Sequence, residues 1–560
     1  MKKIIVSLVV LLTLSFGNTI DKAKAYYEKK DYVSAFNIFE KLASNNDMVA
    51  QNFLGIMYRN GYGVQKDIKQ AVEWYKKAAD QGYANAQSNL GNMYYKGEGV
   101  QKDYKKAVEW YKKAADQGDE YAQTILGNMY YNGDGVQKDY KKAVEWYKKA
   151  ADQGYANAQF NLGLMYENGE GVQKDIKQAV EWYKKAADQG NADAQINLGS
   201  MYYKGEGVQK DIKQAAQWFK KAADQGNANA QFNLGIMYQN GEGVQKDIKQ
   251  AVEWYKKAAD GGNANAQFNL GGMYRNGEGV QKDIKQAAQW YKKAADQGYA
   301  NAQINLGLMY YNGEGVQKDS KQAAQWFKKA ADQGYANAQT ILGNMYYNGE
   351  GVQKDIKQAV EWNKKAADQG DEYAQTILGG MYRNGEGVQK DIKQAVEWYK
   401  KAADQGYANA QTILGGMYET GKGVEKDYKK AVEWYKKAAD QGYEAAQFIL
   451  GTMYEDGDGV QKDYKKAVEW YKKAADQGNA NAQNFLGNMY ETGKGVEKDY
   501  KKAVEWFKKS ANQGNADAQF NLGNMYIYGK GVQKDYKRAA EWFSLSCNGG
   551  FKEACLMLKN

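Results

Sequence analysis

The residue types that most often carry catalysis or hold metals are scarce in this chain. It contains no histidine, which is the usual general base and the most common metal ligand in proteins. Its two cysteines, Cys547 and Cys555, are too few for a structural zinc site. We therefore expect no catalytic residue, no metal and no cofactor.

Patterns that partly match catalytic or nucleotide-binding motifs are incomplete. A serine β-lactamase needs Ser-x-x-Lys, and no serine of the chain has a lysine three residues later. Residues 416–422 have the spacing of a phosphate-binding loop, but Gly423 stands where magnesium binding needs Ser or Thr. Asp456 and Asp458 lack the further ligands and the closing Glu of a calcium loop. These absences indicate a protein that is not an enzyme.

Charge is spread along the chain rather than concentrated. The formal net charge is +10, or +8 without Lys2 and Lys3. Lysines such as Lys76 alternate with carboxylates such as Glu73 and Asp80. Nucleic-acid-binding proteins instead gather positive charge on one face. The pattern favours a solvated surface of mixed charge, and we expect no nucleic-acid partner.

The first residues have the pattern of a secretory signal. Lys2 and Lys3 precede an apolar run at residues 4–16, and the small residues Ser15 and Gly17 stand where cleavage requires them. We predict a signal peptide at residues 1–17. The alternative is an uncleaved membrane anchor, but a spanning helix needs about 20 apolar residues. After cleavage of the signal peptide, we expect the mature protein to be exported to the periplasm or the medium. We also expect it to be monomeric and not inserted in a membrane.

The chain is an array of repeats. All fourteen tryptophans lie on a ladder with a 36-residue step, from Trp74 and Trp110 to Trp542. Self-similarity at this period is typical of a solenoid, in which each unit needs its neighbours to bury a core. The sequence predicts fourteen units over residues 47–550, an N-terminal capping hairpin at residues 18–46 and a C-terminal capping segment at residues 551–560.

Each unit has the pattern of two helices. Asp67 is a candidate N-cap of the second helix, and Gly82 ends it. Apolar residues of this second helix recur at helical spacing: Ala71, Trp74, Tyr75 and Ala78. The same spacing recurs in the first helix of the next unit: Ala86, Leu90, Met93 and Tyr94. We predict that each unit is a helical hairpin.

A glycine recurs inside every predicted first helix, as at Gly91. Glycine within a helix costs about 1 kcal/mol relative to alanine. A compensating gain is required, and we expect it to be a close contact with a neighbouring backbone.

These residues resemble the Sel-1-like repeat family, which is related to the tetratricopeptide repeat. One copy matches the family pattern at thirteen positions: Ala86, Leu90, Gly91, Tyr94, Gly97, Gly99, Val100, Asp103, Ala107, Trp110, Ala114, Ala115 and Gly118. The resemblance covers residues 47–560, and residues 21–46 look like a degenerate tetratricopeptide-type hairpin. It implies an all-α fold, a right-handed α/α superhelix of fourteen 36-residue hairpins, and a role as an adaptor that holds other proteins.

The two cysteines lie eight residues apart at the end of the chain. The segment from Cys547 to Gly550 breaks the helix and can bring Cys555 back within bonding reach, and export permits a disulfide. We predict a bridge that fastens the C-terminal cap; the alternative is two buried thiols. The spacing is similar to that of the secreted cysteine-rich Hcp-type proteins, although only the last unit has the pair.

The copies differ at few positions, and three of these form a stripe on the first helix. They are equivalent to residues 88, 92 and 95, spaced i, i+4 and i+7. The first and third positions of the stripe supply the candidate partner-binding residues: Arg59, Ser88, Tyr95, Thr124, Tyr131, Phe160, Glu167, Tyr203, Phe232, Gln239, Phe268 and Arg275. Aromatic residues and arginine are enriched at interfaces. The alternative is neutral drift after duplication.

The sequence thus predicts an exported, non-enzymatic scaffold that binds proteins or peptides along a concave surface. Two other hypotheses remain open. One is an activity on cell-wall components, including penicillin binding or β-lactamase activity, as labelled for Hcp-type proteins. The other is a purely structural spacer.

Overall fold

The computed structural model describes residues 19–558, and over that range the chain forms α-helices joined by short turns, with no β-strand. The predicted signal peptide at residues 1–17 lies outside the described residues, as do residues 559 and 560 of the predicted C-terminal cap. The chain divides into two compact units, Met1–Lys282 and Asp283–Asn560.

The helices of the first unit are α1 (residues 19–28), α2 (Tyr32–Ser44), α3 (Met48–Asn60), α4 (Ile68–Asp80), α5 (Ala84–Lys96), α6 (Tyr104–Asp116), α7 (Glu120–Asn132), α8 (Tyr140–Asp152), α9 (Ala156–Asn168), α10 (Ile176–Asp188), α11 (Ala192–Lys204), α12 (Ile212–Asp224), α13 (Ala228–Asn240), α14 (Ile248–Asp260) and α15 (Ala264–Asn276).

The helices of the second unit are α16 (Ile284–Asp296), α17 (Ala300–Asn312), α18 (Ser320–Asp332), α19 (Ala336–Asn348), α20 (Ile356–Asp368), α21 (Glu372–Asn384), α22 (Ile392–Asp404), α23 (Ala408–Thr420), α24 (Tyr428–Asp440), α25 (Glu444–Asp456), α26 (Tyr464–Asp476), α27 (Ala480–Thr492), α28 (Tyr500–Asn512), α29 (Ala516–Tyr528), α30 (Tyr536–Asn548) and α31 (Lys552–Met557).

Within each unit, consecutive helices pack against one another as tandem hairpins. The prediction of an all-α solenoid of helical hairpins is therefore confirmed in each unit. The predicted N-cap of the second helix is also confirmed. The Asp67 carboxylate accepts hydrogen bonds from the backbone N–H groups of Lys69 and Gln70 at the start of α4. The preceding helix ends at Gly61, whose φ of 78° lies in the left-handed region that favours glycine.

A buried cluster shared by two successive hairpins is built from small side chains around one large ring. Ala71, Tyr75 and Ala78 of one hairpin are buried together with Leu90 and Met93 of the next. The tryptophan of the next hairpin, Trp110, packs against this cluster from outside. Each hairpin thus closes the core of its predecessor, which is the mutual burial that the repeat period predicts.

The recurrent helical glycine faces an aromatic ring. A Cβ on Gly91 would lie 2.9 Å from the Tyr111 ring on the second helix of the same hairpin. The expected close contact is present, but the nearest atoms belong to a side chain rather than to a backbone. We call the side chain at the position of Tyr111 the inner ring. Glycine is required because any side chain would displace this ring.

A buried glutamine joins neighbouring hairpins. The Gln87 side-chain amide donates to the carbonyl oxygen of Ala79 over 3.1 Å, and its own oxygen accepts from the amide of Gln117 over 2.7 Å. Gln87 is therefore bonded to the helix before it and to the end of the helix after it. The same arrangement recurs farther along the chain, as at Gln123.

The predicted disulfide joins Cys547 and Cys555, with a Cα–Cα distance of 4.8 Å. Counted in 36-residue steps, these cysteines stand at the positions of Ala511 and Gln519. In that preceding copy the glutamine amide donates to the alanine carbonyl over 3.1 Å. The last unit has a covalent bond where the preceding unit has a hydrogen bond.

The glycine contact is testable with two adjacent glycines of α21. A Cβ on Gly379 would lie 2.9 Å from the Tyr399 ring, whereas one on Gly380 would meet only the Tyr399 hydroxyl at 3.6 Å. We expect Gly379→Ala to lower the free energy of unfolding by about 1–3 kcal/mol through overpacking. Gly380→Ala should raise it by up to about 1 kcal/mol through helix propensity. Urea unfolding followed by circular dichroism measures both, and equal midpoints for the two variants would contradict the ring contact.

The cysteine pair allows a graded test of the cap. Cys547→Ala with Cys555→Gln recreates the pair found at Ala511 and Gln519, and Cys547→Ala with Cys555→Ala removes both kinds of link. We expect amide hydrogen exchange in α31 to be slowest in the parent, faster in the Gln variant and fastest in the double-alanine variant. Equal exchange in the two variants would show that the hydrogen bond does not replace the bridge.

Candidate functional site

The first position of the stripe is largely packed inside the protein. Ser88 and Thr124 are buried, and the Thr124 hydroxyl donates to the carbonyl oxygen of Glu120 in its own helix. Phe268 is half-buried. At this position the stripe faces the neighbouring hairpin more than the solvent.

The phenylalanines at the first position pack on inner rings. The centre of the Phe160 ring lies 5.8 Å from that of Tyr183, and the centre of the Phe232 ring lies 5.8 Å from that of Tyr255. Both phenylalanines are half-buried. Each contributes to the core of a hairpin and also presents one edge outside it.

The third position reaches the next hairpin. The Arg59 guanidinium donates to the Glu98 carboxylate over 2.7 Å. The Tyr203 hydroxyl donates to the Glu242 carboxylate over 2.6 Å, and Tyr95 bonds in the same way to an aspartate. Each acceptor lies 39 residues after its donor, in the turn that follows the next first helix. We call these acceptors the turn acids.

Other residues at the third position point inward instead. The Glu167 carboxylate accepts from the hydroxyl of the inner ring Tyr183 over 2.5 Å. The Gln239 side-chain oxygen accepts from Tyr255 over 2.6 Å. Burial raises the pKa of the Tyr255 hydroxyl to about 12. At these copies the third position fixes the inner ring rather than the next hairpin.

Tyr131 and Arg275 complete the predicted third-position residues, and both are half-buried. Partial burial is the largest cause that raises the pKa of Tyr131, and the nearby carboxylate of the turn acid Glu170 adds to it. The structure thus brings third-position residues together with acids or inner rings of the array itself.

The middle position also meets the inner ring. The Asn92 side-chain oxygen accepts from Tyr111 over 2.8 Å and from Tyr121, on the following first helix, over 2.9 Å. Sequence reasoning did not find these partners. The sequence does contain a signal for this contact, which is the recurrence of tyrosine one repeat apart. Residues 111 and 147 are both tyrosines, and their hydroxyls bond to Asn92 and Asn128.

Two cavities open along the stripe, one in each unit. The first has a volume of about 190 Å³ and is lined by Tyr203, Phe219, Ile236 and Glu242 among others. The second has a volume of about 420 Å³ and is lined by Leu308, Tyr311, Phe327, Ile341, Glu350 and Tyr373 among others. Both lie where the inner ring is phenylalanine.

The turn acids of these cavities bind tyrosine hydroxyls. Tyr311 donates to Glu350 over 2.5 Å, as Tyr203 does to Glu242. In each pair the hydrogen bond to the carboxylate is the largest cause that raises the pKa of the tyrosine. Such groups can hold a ligand by hydrogen bonding, charge and apolar contact.

The segment that partly matches a phosphate-binding loop begins inside a helix. Gly416 is inside α23, whereas a phosphate-binding loop precedes a helix. Among residues 19–558, no group of three or more acidic or cysteine side chains is placed to hold a metal ion. Within the same residues, no helix has the length and apolar composition needed to cross a bilayer.

The model of the Sel1 repeat family matches fifteen successive segments. They are residues 25–47, 49–83, 84–119, 120–155, 156–191, 192–227, 228–263, 264–299, 300–335, 336–371, 372–407, 408–443, 444–479, 480–515 and 516–551. The first segment lies almost wholly in the predicted N-terminal cap. No curated protein matches the chain.

Solved structures show the same similarity. The chain is 41% identical to a protective antigen of uropathogenic Escherichia coli strains that displays an SLR fold, over 80% of this chain and 96% of that one, with a TM-score of 0.69. A Sel1 repeat protein from Oxalobacter formigenes is 37% identical over 55% of this chain and 89% of its own, with a TM-score of 0.46. Helicobacter pylori cysteine rich protein B is 32% identical over 24% of this chain and 96% of its own, with a TM-score of 0.21.

The buried hydroxyl of Tyr255 predicts a loss of stability at high pH. Its pKa is raised to about 12, so between pH 10 and 12 the unfolded chain ionises while the folded chain stays protonated. Stability is therefore full below pH 10 and falls as the pH rises toward 12. We expect the urea midpoint to fall less steeply over this range in Tyr255→Phe than in the parent. Tyr536→Phe, at an exposed site, is the control, and identical slopes for all three proteins would contradict the assignment.

Proposed function

We propose that this chain, which belongs to the Sel1 repeat family, is an exported scaffold that binds a protein or peptide along the variable stripe. Sel1-repeat proteins are in general scaffolds for protein–protein contacts rather than enzymes. The observation that carries the proposal is the recurrence of one arrangement. Tyrosine or arginine at the third position and a turn acid meet at several hairpins, as in Tyr95 with Asp134 and Tyr203 with Glu242.

Such a row suits an extended polypeptide. Its tyrosines are half-buried, so they are held in place and still present ring surface. Rigid aromatic groups give contact area at little cost in conformational entropy. A chain that crosses several hairpins meets this pair of groups more than once, and several weak contacts then add up to useful affinity.

Export is part of the proposal. The disulfide between Cys547 and Cys555 supports it, since such bonds persist in oxidising compartments. We further propose the division into a signal peptide at residues 1–17, caps at residues 18–46 and 551–560, and repeats at residues 47–550. The mature protein is proposed to be a monomer without nucleic-acid partners.

The test is capture of a partner by cross-linking in the periplasm, followed by mass spectrometry. We expect the parent to capture a defined polypeptide and the triple variant Tyr95→Ala, Tyr131→Ala, Tyr203→Ala to lose it. The same three residues changed to Phe form the matched control, which keeps the rings and loses only the hydroxyls. That control should retain most of the capture, because ring contact supplies the area.

Circular dichroism must show equal helical content in the three proteins. Unchanged capture by the alanine variant would contradict binding along the stripe. No captured polypeptide at all would favour a structural spacer, and retention on peptidoglycan alone would favour a cell-wall role.

A further inference from the structure

The cavities beside Phe219 and Phe327 share a construction. In each, a phenylalanine ring and an isoleucine, Ile236 or Ile341, give an apolar floor. A turn acid stands at the mouth, half-buried and hydrogen-bonded to a tyrosine. An apolar floor beneath a carboxylate fits a side chain that has a long aliphatic stem and a polar end.

The two turn acids have no cation of their own. Within residues 19–558, Glu242 and Glu350 form no ion pair. Lys204 also lines the first cavity, but it pairs with Glu206 over 3.8 Å. A carboxylate has about four lone-pair sites, so after its bond to a tyrosine each acid can accept further donors.

The array itself shows what such an acid binds. In the first repeat the third position is Arg59, and its guanidinium forms a salt bridge of 2.7 Å with the turn acid Glu98. In the last repeats the charges are exchanged, and Lys530 pairs with Glu491 over 3.1 Å. These internal pairs show that this junction between hairpins accommodates a basic side chain opposite a carboxylate.

We infer that the two cavities are pockets for an arginine or lysine side chain of the bound polypeptide. The aliphatic stem lies on Phe219 or Phe327, and the cationic end binds Glu242 or Glu350. The inference rests on the proposed function, because it specifies what the stripe selects in its partner. Each cavity acts on its own and binds one side chain.

Phenylalanine at the inner ring is part of this selectivity. At Tyr183 and Tyr255 a hydroxyl fills the junction and bonds to the third-position side chain. Phe219 lacks that hydroxyl, Tyr203 bonds to Glu242, and the floor of the cavity is apolar. At Phe219 and Phe327 the chain thereby leaves space beside the acid.

The probe is the peptide acetyl-Ala-Ala-Arg-Ala-Ala-amide, titrated into the mature full-length protein and followed by ligand-observed NMR. The same peptide with citrulline, the uncharged analogue of arginine, is the ligand control. We expect citrulline to weaken the apparent affinity at least about tenfold, since bonds between charged groups are the stronger ones. The double variant Glu242→Gln, Glu350→Gln should produce a loss of the same size.

Two further protein variants distinguish the effect of the carboxylate charge from the effect of the open space beside the phenylalanine rings. Phe219→Tyr with Phe327→Tyr keeps both acids and restores the residue found in neighbouring copies, and it should weaken binding several-fold. Glu253→Gln is the matched control, because Glu253 is an exposed acid of α14 that lines neither cavity. It should leave binding unchanged.

Equal affinity for the arginine and citrulline peptides overturns the inference. So does unchanged binding in Glu242→Gln, Glu350→Gln, or no measurable binding of the arginine peptide at millimolar concentration. The proposed function fails separately, when the parent captures no polypeptide in cross-linking. A partner captured equally by the parent and by the double glutamine variant would preserve the scaffold and exclude the pockets.

Discussion

The contact between the helical glycine and the inner ring sets the geometry of a hairpin. Where the ring is tyrosine, it fills the gap between the two helices and its hydroxyl emerges at the stripe, as Tyr111 does beside Asn92. Packing and surface chemistry are therefore linked through one side chain. A change at the inner ring alters the partners of the stripe residues as well as the core.

Asn363 shows what happens when the ring is missing. Its side chain stands beside Gly343, where neighbouring copies have a ring, and it is fully buried with a side-chain oxygen that lacks a hydrogen-bond partner. Asn344 and Met345, which follow that glycine, line the larger cavity. A lost ring is tolerated because each hairpin is also held by its neighbours, as expected for a solenoid whose stability is a sum over units and junctions.

Much of the fold follows from the periodicity of the sequence. What the sequence does not predict are the contacts that one helix makes with others. The tryptophan ladder and caps such as Asp67 predict the hairpins, because these signals act within one unit. Spacing on a helix places Ser88 on the stripe but does not tell whether that face meets solvent or another hairpin, and the structure buries it. The roles of Gln87 and the turn acids were missed for the same reason, since their partners lie in other helices.

Several variable residues of the stripe are bonded to other residues of the array. Third-position tyrosines such as Tyr203 meet a turn acid, and Glu491 at the same position meets Lys530. Glu167 stands 39 residues before another acid, Glu206, and bonds to the inner ring Tyr183 instead. The copies therefore carry junction-specific contacts, and these contacts are the groups that a bound polypeptide would meet.

The C-terminal helix α31 shows how one contact between helices replaces another where packing is reduced. Leu558 is 44% exposed, whereas Leu522, its equivalent one repeat earlier, is 1% exposed. In the described part of the chain no second helix covers Leu558, so α31 lacks much of the burial that holds other first helices. A buried hydrogen bond contributes about 1 kcal/mol, whereas a disulfide that closes a loop of this length contributes about 2.5 kcal/mol. The disulfide between Cys547 and Cys555 therefore offsets more of the missing burial than the glutamine–alanine hydrogen bond of the preceding copy would.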